Sequence, residues 1–375
     1  MIRYDREEHR RRLAQRLELF APRNAAVALS RAASVDTPGQ EELARRLMVR
    51  FCSVGRLPSG AALLDFVATL REFLEVCDPL ELRLVDVAHN AYETLARALG
   101  PACLAHDALR SYPALLQGHL AALDEGRIHP HSVAAGSRHV IEPRRDSLRV
   151  LILADNFRAA SGVWEACRGK LTGERLELLF CDNAKDKARF ALRLLASLAA
   201  LMLAGKPRLA LSMVASRPRI STRPLADARN TTWLRARAFD LGLHSMGVIY
   251  RPETIAAFRL GILNAHIGHL PGMRGRSVLE WSIVLGVPAA VSTFFMDAGI
   301  DTGNPIVDRY LVPSETLADV RSVADGKARM FAIADACYAR AVRRIAEGGE
   351  GIRNEPAGPR FYAMSDLLAA ALVGR

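Results

Sequence analysis

Asn264 and His266 stand one residue apart where the apolar run GILNAH ends. In an extended strand, residues two apart project from the same face. An amide donor and an imidazole would therefore converge on one spot. Asp301 follows in DAGIDTG, between Gly299 and Gly303, which can shape a tight loop that presents a carboxylate. Alone, an asparagine or histidine at a strand end is more often a satisfied loop residue. Two on one face, with an Asp in the loop after the next strand, form a convergent donor set with a titratable ring.

The elements that would position them read as alternating strands and helices. SLRVLILAD (147–155) and RLELLFCD (175–182) are continuous apolar runs of the kind buried on both faces of a sheet. A helix over about 185–204 follows, its run LLASLAALMLAG (194–205) reading as a buried helix. RLALSMVA (208–215) is open to a strand reading. FDLGLHSMG (239–247) is a strand, RPETIAAFRL a short helix with Pro252 at its start, GILNAH the next strand. SVLEWSIVLG is a helix that Gly286 stops, and AAVSTFFMD (289–297) another strand. This alternation predicts an α/β fold with an open, mostly parallel twisted sheet, helices on both faces. Ligands of such sheets bind beyond the carboxyl ends of the strands. Neighbouring strands would then set the loop of Asp301 beside Asn264 and His266.

Residues 1–145 read as an all-α N-terminal domain, with apolar residues recurring at three and four and no strand-like alternation. The catalytic core is expected over 146–312 and a mainly helical segment packing on it over 313–375. IEPRRDS (141–147) reads as the linker. His89, His106 and His119 lie isolated in the leading helices and suggest no metal site.

The chain has 375 residues, half of them hydrophobic, enough for a sizeable core. The net charge of +11 and pI near 9.8 favour anionic partners. No basic block is interleaved with aromatics, however, so a nucleic-acid partner is disfavoured. Six cysteines form no CxxC pair and read as core residues of a reducing cytoplasm. The charged N-terminus is no signal peptide and no run is long enough to cross a membrane, so a cytoplasmic location is expected.

The stretch from FDLGLHSMG to DAGIDTGNPI resembles the core of the folate-dependent formyltransferases. It carries Asn264-x-His266, then Leu270-Pro271 with Arg274-Gly275, then Asp301-Thr302-Gly303. The resemblance implies a Rossmann-like core and a formyl transfer from 10-formyltetrahydrofolate to an amine, with no metal. Asn264 and His266 would stabilise an oxyanion, and Asp301 would orient the imidazole and help move the proton. The pterin would lie against the turn of Met246, Gly247 and Val248 and against Asp297 and Ile300. Arg274 would meet an anionic acceptor group or brace its loop. His269 would be a substrate contact or an exposed loop residue. Trp281 reads as core.

The chain departs from its relatives in several places. LADNFRAASG lacks the close-packed glycines of a phosphate cradle. The tail is short and helical, unlike the β-rich domain of the tRNA enzymes. Ile267-Gly268 replaces the usual pair after the histidine. The expected acceptor is therefore a small amine, such as an amino sugar on a nucleotide or an amine of specialised metabolism. Hydrolysis of the same donor and a non-catalytic binding module remain the alternatives. The helical extension could shape the acceptor pocket, make a homodimer or dock a carrier protein.

Overall fold

A computed structural model describes residues 2–20, 37–52, 57–144, 147–168, 170–171, 175–181, 187–355 and 359–374. The leading helices are α1 (Arg6–Glu18), α2 (Thr37–Arg45), α3 (Ala61–Val76), α4 (Leu82–Leu99) and α5 (Tyr112–Asp124). α2 runs on into a π-helical stretch, Arg46–Cys52. Asp5 caps α1 by accepting from Glu8 N (3.0 Å), and Gly100 ends α4 with a positive φ of 59°. Helix α4 is buried on nearly every side, from Leu82 to Leu95. Leu13, Leu47, Phe66, Leu70, Phe73 and Leu115 of the neighbouring helices share its apolar cluster. Tyr362 and Leu367 of the C-terminal tail join the same cluster. Each fully buried apolar side chain is worth roughly 1.5–3 kcal/mol, against about 0–1 kcal/mol for an exposed ion pair. The tail is held to the helical unit by this packing and by hydrogen bonds: Asp86 Oδ2 accepts from Ser365 N (3.1 Å), and Asn90 Nδ2 donates to Ala363 O (2.9 Å).

The structure adds two short strands to this unit. β1 (Ile2–Tyr4) pairs antiparallel with the last strand of the chain, and β2 (Arg138–Ile141) is an edge strand of the main sheet.

Among the described residues the main sheet has nine strands. The parallel half comprises β3 (Arg149–Ala154), β4 (Arg175–Cys181), β5 (Arg219–Ser221), β6 (Leu241–Ser245) and β7 (Gly261–His266). Two residues, β8 (Arg274–Gly275), lie outside this sheet. β9 (Ala290–Phe295), β10 (Ile306–Leu311), β11 (Gly349–Ile352) and β2 extend it in antiparallel fashion. The order is β2-β11-β10-β9-β7-β6-β3-β4-β5. The crossovers leave β3 in opposite directions, so the crevice between β3 and β6 is a topological switch point. The tail adds β12 (Arg360–Phe361), parallel to β8, and β13 (Leu372–Gly374), which pairs with β1.

Strand parity sorts the sheet's side chains. Val150, Ile152, Leu243 and Leu263 pack on the face covered by α6 (Phe157–Arg168), α7 (Lys187–Leu203), α8 (Pro207–Ala215) and α12 (Val323–Glu347). Leu151, Leu153 and Ile262 pack on the other face, with Leu234 of α9 (Ala228–Arg237) and with Tyr250 and Phe258, which flank α10 (Pro252–Ile255). Asn264 and His266 share the parity of Ile262. α11 (Val278–Leu285) is closed by Gly286 at φ 65°, and α13 (Asp366–Ala369) lies in the tail.

Three expectations change. Residues 208–215 form α8, with Pro207 at its first turn, and not a strand. α7 is no buried helix: Phe190, Leu194 and Leu201 face inward while Leu192, Leu195 and Leu203 are exposed. β9 runs antiparallel to β7, so its carboxyl end lies beside the start of β7, with Phe295 opposite Leu263. The loop carrying Asp301 is therefore not placed by a parallel neighbour. The strand expected over 175–182 is seen to Cys181; position 182 and part of the linker, 145–146, lie outside the described residues.

Candidate active site

β7 delivers Asn264 and His266 to one face, and the chain after β9 folds back over that face. Met296 N donates to Ile262 O (2.7 Å) and Phe295 N to Pro305 O (3.1 Å), which fixes both ends of the returning loop. Inside it Asp297 Oδ1 accepts from Gly299 N (2.9 Å) and Thr302 Oγ1 (2.8 Å). Gly303 packs on the backbone so closely that a side chain there would overlap Phe295 O. Asp301 adopts a positive φ of 56° at the apex, a region that short polar residues tolerate. Its Oδ1 lies 3.6 Å from His266 Nδ1, and both side chains are about nine-tenths buried. Its Oδ2 accepts from Gly275 N (3.0 Å).

The imidazole of His266 is held on its other edge as well, because Nε2 donates to Met273 O (3.1 Å). A side chain at Gly268 would overlap Nε2, so only glycine leaves room for the ring. Asn264 is half-buried and its amide has no hydrogen-bond partner among the described residues. The structure thus brings Asn264, His266 and Asp301 together, with Asn264 as the donor left available and His266 clamped between a carbonyl and a carboxylate.

The turn after β6 is less uniform than expected. Met246 is buried, with Sδ 3.8 Å from Cys181 Sγ. Val248 N is engaged by Met246 O (3.0 Å). Gly247 is exposed and faces open space. Asp297 braces its own loop, and Ile300 is exposed on it. His269 is half-buried and not an exposed loop residue; burial, then the nearby Arg309, pull its imidazole below the usual range. Arg274 is half-buried, and Trp281 is core, donating to Tyr362 O (3.0 Å).

The sequence reading placed HSMGVIY (244–250) at the pterin but singled out neither His244 nor the residues that brace the site. His244 stands one position past the Leu243–Leu263 pair, so its ring lies beside Asn264 on the same face. It bonds Tyr250 Oη through Nδ1 (2.9 Å), and burial, opposed by Asp301, pulls it down to about 4. Strand parity in LGLHS was the available signal. Tyr338 Oη donates to His244 O (2.5 Å) and accepts from Ala265 N (3.1 Å), tying β6 to β7. Ser292 donates to Gly268 O (2.7 Å) and accepts from Leu270 N (3.1 Å), which holds the loop after His266. Asn354 donates to Asp301 O (3.0 Å) and Gly303 O (2.8 Å). No spacing pattern marks Ser292 or Asn354.

Beside the Asp301 loop opens a cavity of about 490 Å³, lined by Arg274 and Arg360, by Gly299, Ile300 and Thr302, and by Arg45 of α2. Among the described residues, no group of three or more His, Cys, Asp or Glu is placed to hold a metal ion. No described helix is long and apolar enough to cross a membrane.

No protein-family model matches the chain. The chain is 39% identical over 88 residues to a methionyl-tRNA formyltransferase of Cyanothece sp., covering 23% of this chain and 26% of that protein. It is 34% identical over 134 residues to the methionyl-tRNA formyltransferase of Bordetella parapertussis, covering 34% and 40%. The chain thus matches well under half the length of these curated relatives. Among solved structures, a 4-N formyltransferase from Francisella tularensis is similar at 18% identity, covering 58% of this chain and 77% of that one, with a TM-score of 0.40.

Proposed function

We propose that this chain, a relative of the folate-dependent formyltransferases, transfers a formyl group from 10-formyltetrahydrofolate to the amino group of a small acceptor. The observation that carries the reading is the convergence of Asn264, His266 and Asp301 on one face of β7, with the Asn264 amide left without a partner among the described residues. The donor supplies an activated formyl carbon. Attack by a neutral amine puts negative charge on the formyl oxygen, and Asn264 Nδ2 donates to that oxygen. A preorganised donor of this kind is worth about 3–4 kcal/mol. His266 becomes the second donor when its Nε2–H exchanges Met273 O for the charged oxygen. Asp301 holds the ring from the Nδ1 side throughout.

The proton balance closes within the site. The carbon–nitrogen bond to the folate breaks as the bond to the acceptor forms. The amine loses one proton, and the folate nitrogen gains one. His266 Nε2 hands its proton to the folate nitrogen as that bond breaks and takes back the proton the amine loses, while Nδ1–H stays on Asp301. The labour divides cleanly among the three. Asn264 stabilises charge, His266 stabilises charge and moves the proton, and Asp301 orients the ring.

The donor's pterin is assigned to the turn of Met246, Gly247 and Val248, bounded by the loop of Asp297 and Ile300 that divides it from the acceptor side. The open space beside Gly247 supports this, as does the position of the turn at the switch point after β6. His269 and Arg274 are assigned to the acceptor side. A small acceptor is favoured because the cavity beside Asp301 is walled by the helical extension and measures only about 490 Å³.

The test offers 10-formyltetrahydrofolate with a panel of amines: nucleotide-linked amino sugars, phosphorylated amines, uncharged amines and an aminoacylated tRNA. Formyl gain on a small amine supports the reading. Gain on the tRNA alone would move the acceptor to the class named by the curated relatives. Steady formate release that no amine suppresses would make the chain a hydrolase.

A further inference from the structure

Two arginines stand side by side at the edge of this site, and the backbone puts them there. β12 pairs in parallel with β8, in a register that sets Arg360 directly beside Arg274. The approach is close, since a side chain at Gly275 would overlap Phe361 O. Arg276 N donates to the same carbonyl (3.1 Å). Like charges in paired sheet positions cost stability. Burial and then Arg360 pull the Arg274 guanidinium below its ordinary value, against the opposing pull of Asp301.

Two glutamates at the cavity rim serve other cations. Glu42 holds Arg45 through two hydrogen bonds (2.7 and 2.6 Å), and Glu41 holds the buried Arg83. Arg274 and Arg360 both line the 490 Å³ cavity, whose far wall is the Asp301 loop at Ile300 and Thr302. The residue after Arg274, Gly275, donates its N–H to Asp301 Oδ2. The backbone that carries Arg274 thus adjoins the Asp301 carboxylate, and Gly299, Ile300 and Thr302 of the Asp301 loop line the same cavity.

We propose that this cavity is the acceptor subsite, and that Arg274 and Arg360 together grip a phosphate group on the acceptor amine. That the anion belongs to an acceptor rests on the formyl-transfer reading; the anion site does not. Two planar guanidinium forks offer more donors than one carboxylate accepts, and they suit the oxygens of a phosphate. The helical extension then contributes to the site, since α2 closes the cavity through Arg45, and the tail supplies Arg360.

The experiment is calorimetric titration of the full chain with inorganic phosphate and with pyrophosphate. The wild type is expected to bind. Arg360→Gln is expected to weaken binding by about tenfold or more, and Arg360→Lys, which keeps the charge but not the fork, to lie between. Pyrophosphate binding tighter than phosphate assigns a diphosphate; equal binding assigns a phosphomonoester. Because Arg360→Gln removes one of two adjacent like charges, its melting temperature should match or exceed the wild type, so lost binding is not unfolding. Arg274→Gln gives the same test from the other strand. No binding by the wild type, or wild-type affinity in both Gln variants, overturns the proposal. A folate analogue is titrated alongside, and its affinity should not move in Arg360→Gln. Failure of the wild type to bind the folate would sink the formyl-transfer reading and leave the anion site standing.

Discussion

Asp301 Oδ1 lies 3.6 Å from His266 Nδ1, although the strand that leads to Asp301 ends beside the start of β7 and not beside its end. The loop must double back to make the contact. Asn354 is its main external tether, donating to Asp301 O and Gly303 O from a buried position.

Asn354→Ala removes both donors and leaves two carbonyls short of a partner. The cost expected is about 1–3 kcal/mol of stability. Activity should fall further than stability explains, because Asp301 no longer fixes the imidazole. The check is kcat at a temperature well below the variant's melting point. Unchanged kcat would show that the loop holds itself.

Gly268→Ala tests the clamp on His266 from the other side. The added methyl overlaps Nε2 and crowds Met273 O at 3.0 Å. Such overpacking typically costs about 1–3 kcal/mol. We expect kcat to drop with the KM for folate little changed, since the added methyl meets His266 and Met273 O and not the turn of Met246, Gly247 and Val248 proposed for the pterin. A fall in folate affinity with kcat intact would place the glycine's role elsewhere.

The helical unit should lose stability in mild acid. His9, His89 and His119 are buried, each bonded through Nδ1 to Tyr4 Oη, Tyr112 Oη or Pro79 O, while no Nε2 of the three has a partner among the described residues. Burial pulls His9 down to about 3, His119 down to about 4, and His89 well below its usual range. The unfolded chain takes up protons near 6.5 and the folded chain does not. Stability is therefore full above about pH 6.5 and falls as the pH drops toward the folded values. Asp86, raised by burial to about 7, works the other way, losing stability as pH rises from about 4 to 7. Three imidazoles against one carboxyl decide the sign. The urea midpoint should be lower at about pH 5 than at about pH 7.5, and a midpoint equal or higher at the lower pH contradicts this.

The parallel half of the sheet was legible because β3 and β4 read as continuous apolar runs, and β6 and β7 as apolar runs that turn polar at their carboxyl ends. Asn264 and His266 were legible for the same reason, as polar residues that interrupt such a run with matched parity. The return of the Asp301 loop was not. It depends on the antiparallel direction of β9, which an apolar run does not encode, and on Asn354 and Gly303, whose partners are backbone atoms brought close only by the fold. Residues 208–215 misled because a short apolar run fits either element, and Pro207 at a helical first turn decided it. The Arg274–Arg360 pair was hidden for a different reason: a two-residue ladder leaves no pattern, and its strands are 86 positions apart in register. The helical extension was legible as helices, while its part in walling the cavity came only with the packing of α2.

The most direct measurement is single-turnover transfer from 10-formyltetrahydrofolate, read as the mass of the accepting amine, for the wild type and for Asn264→Ala. The Asn264 amide bonds no described residue, so the variant should fold and melt like the wild type. The acceptor should gain one formyl group with the wild type, and gain it about a hundredfold to a thousandfold more slowly with the variant. Transfer at the same rate by both proteins would contradict the role of Asn264 as the oxyanion donor.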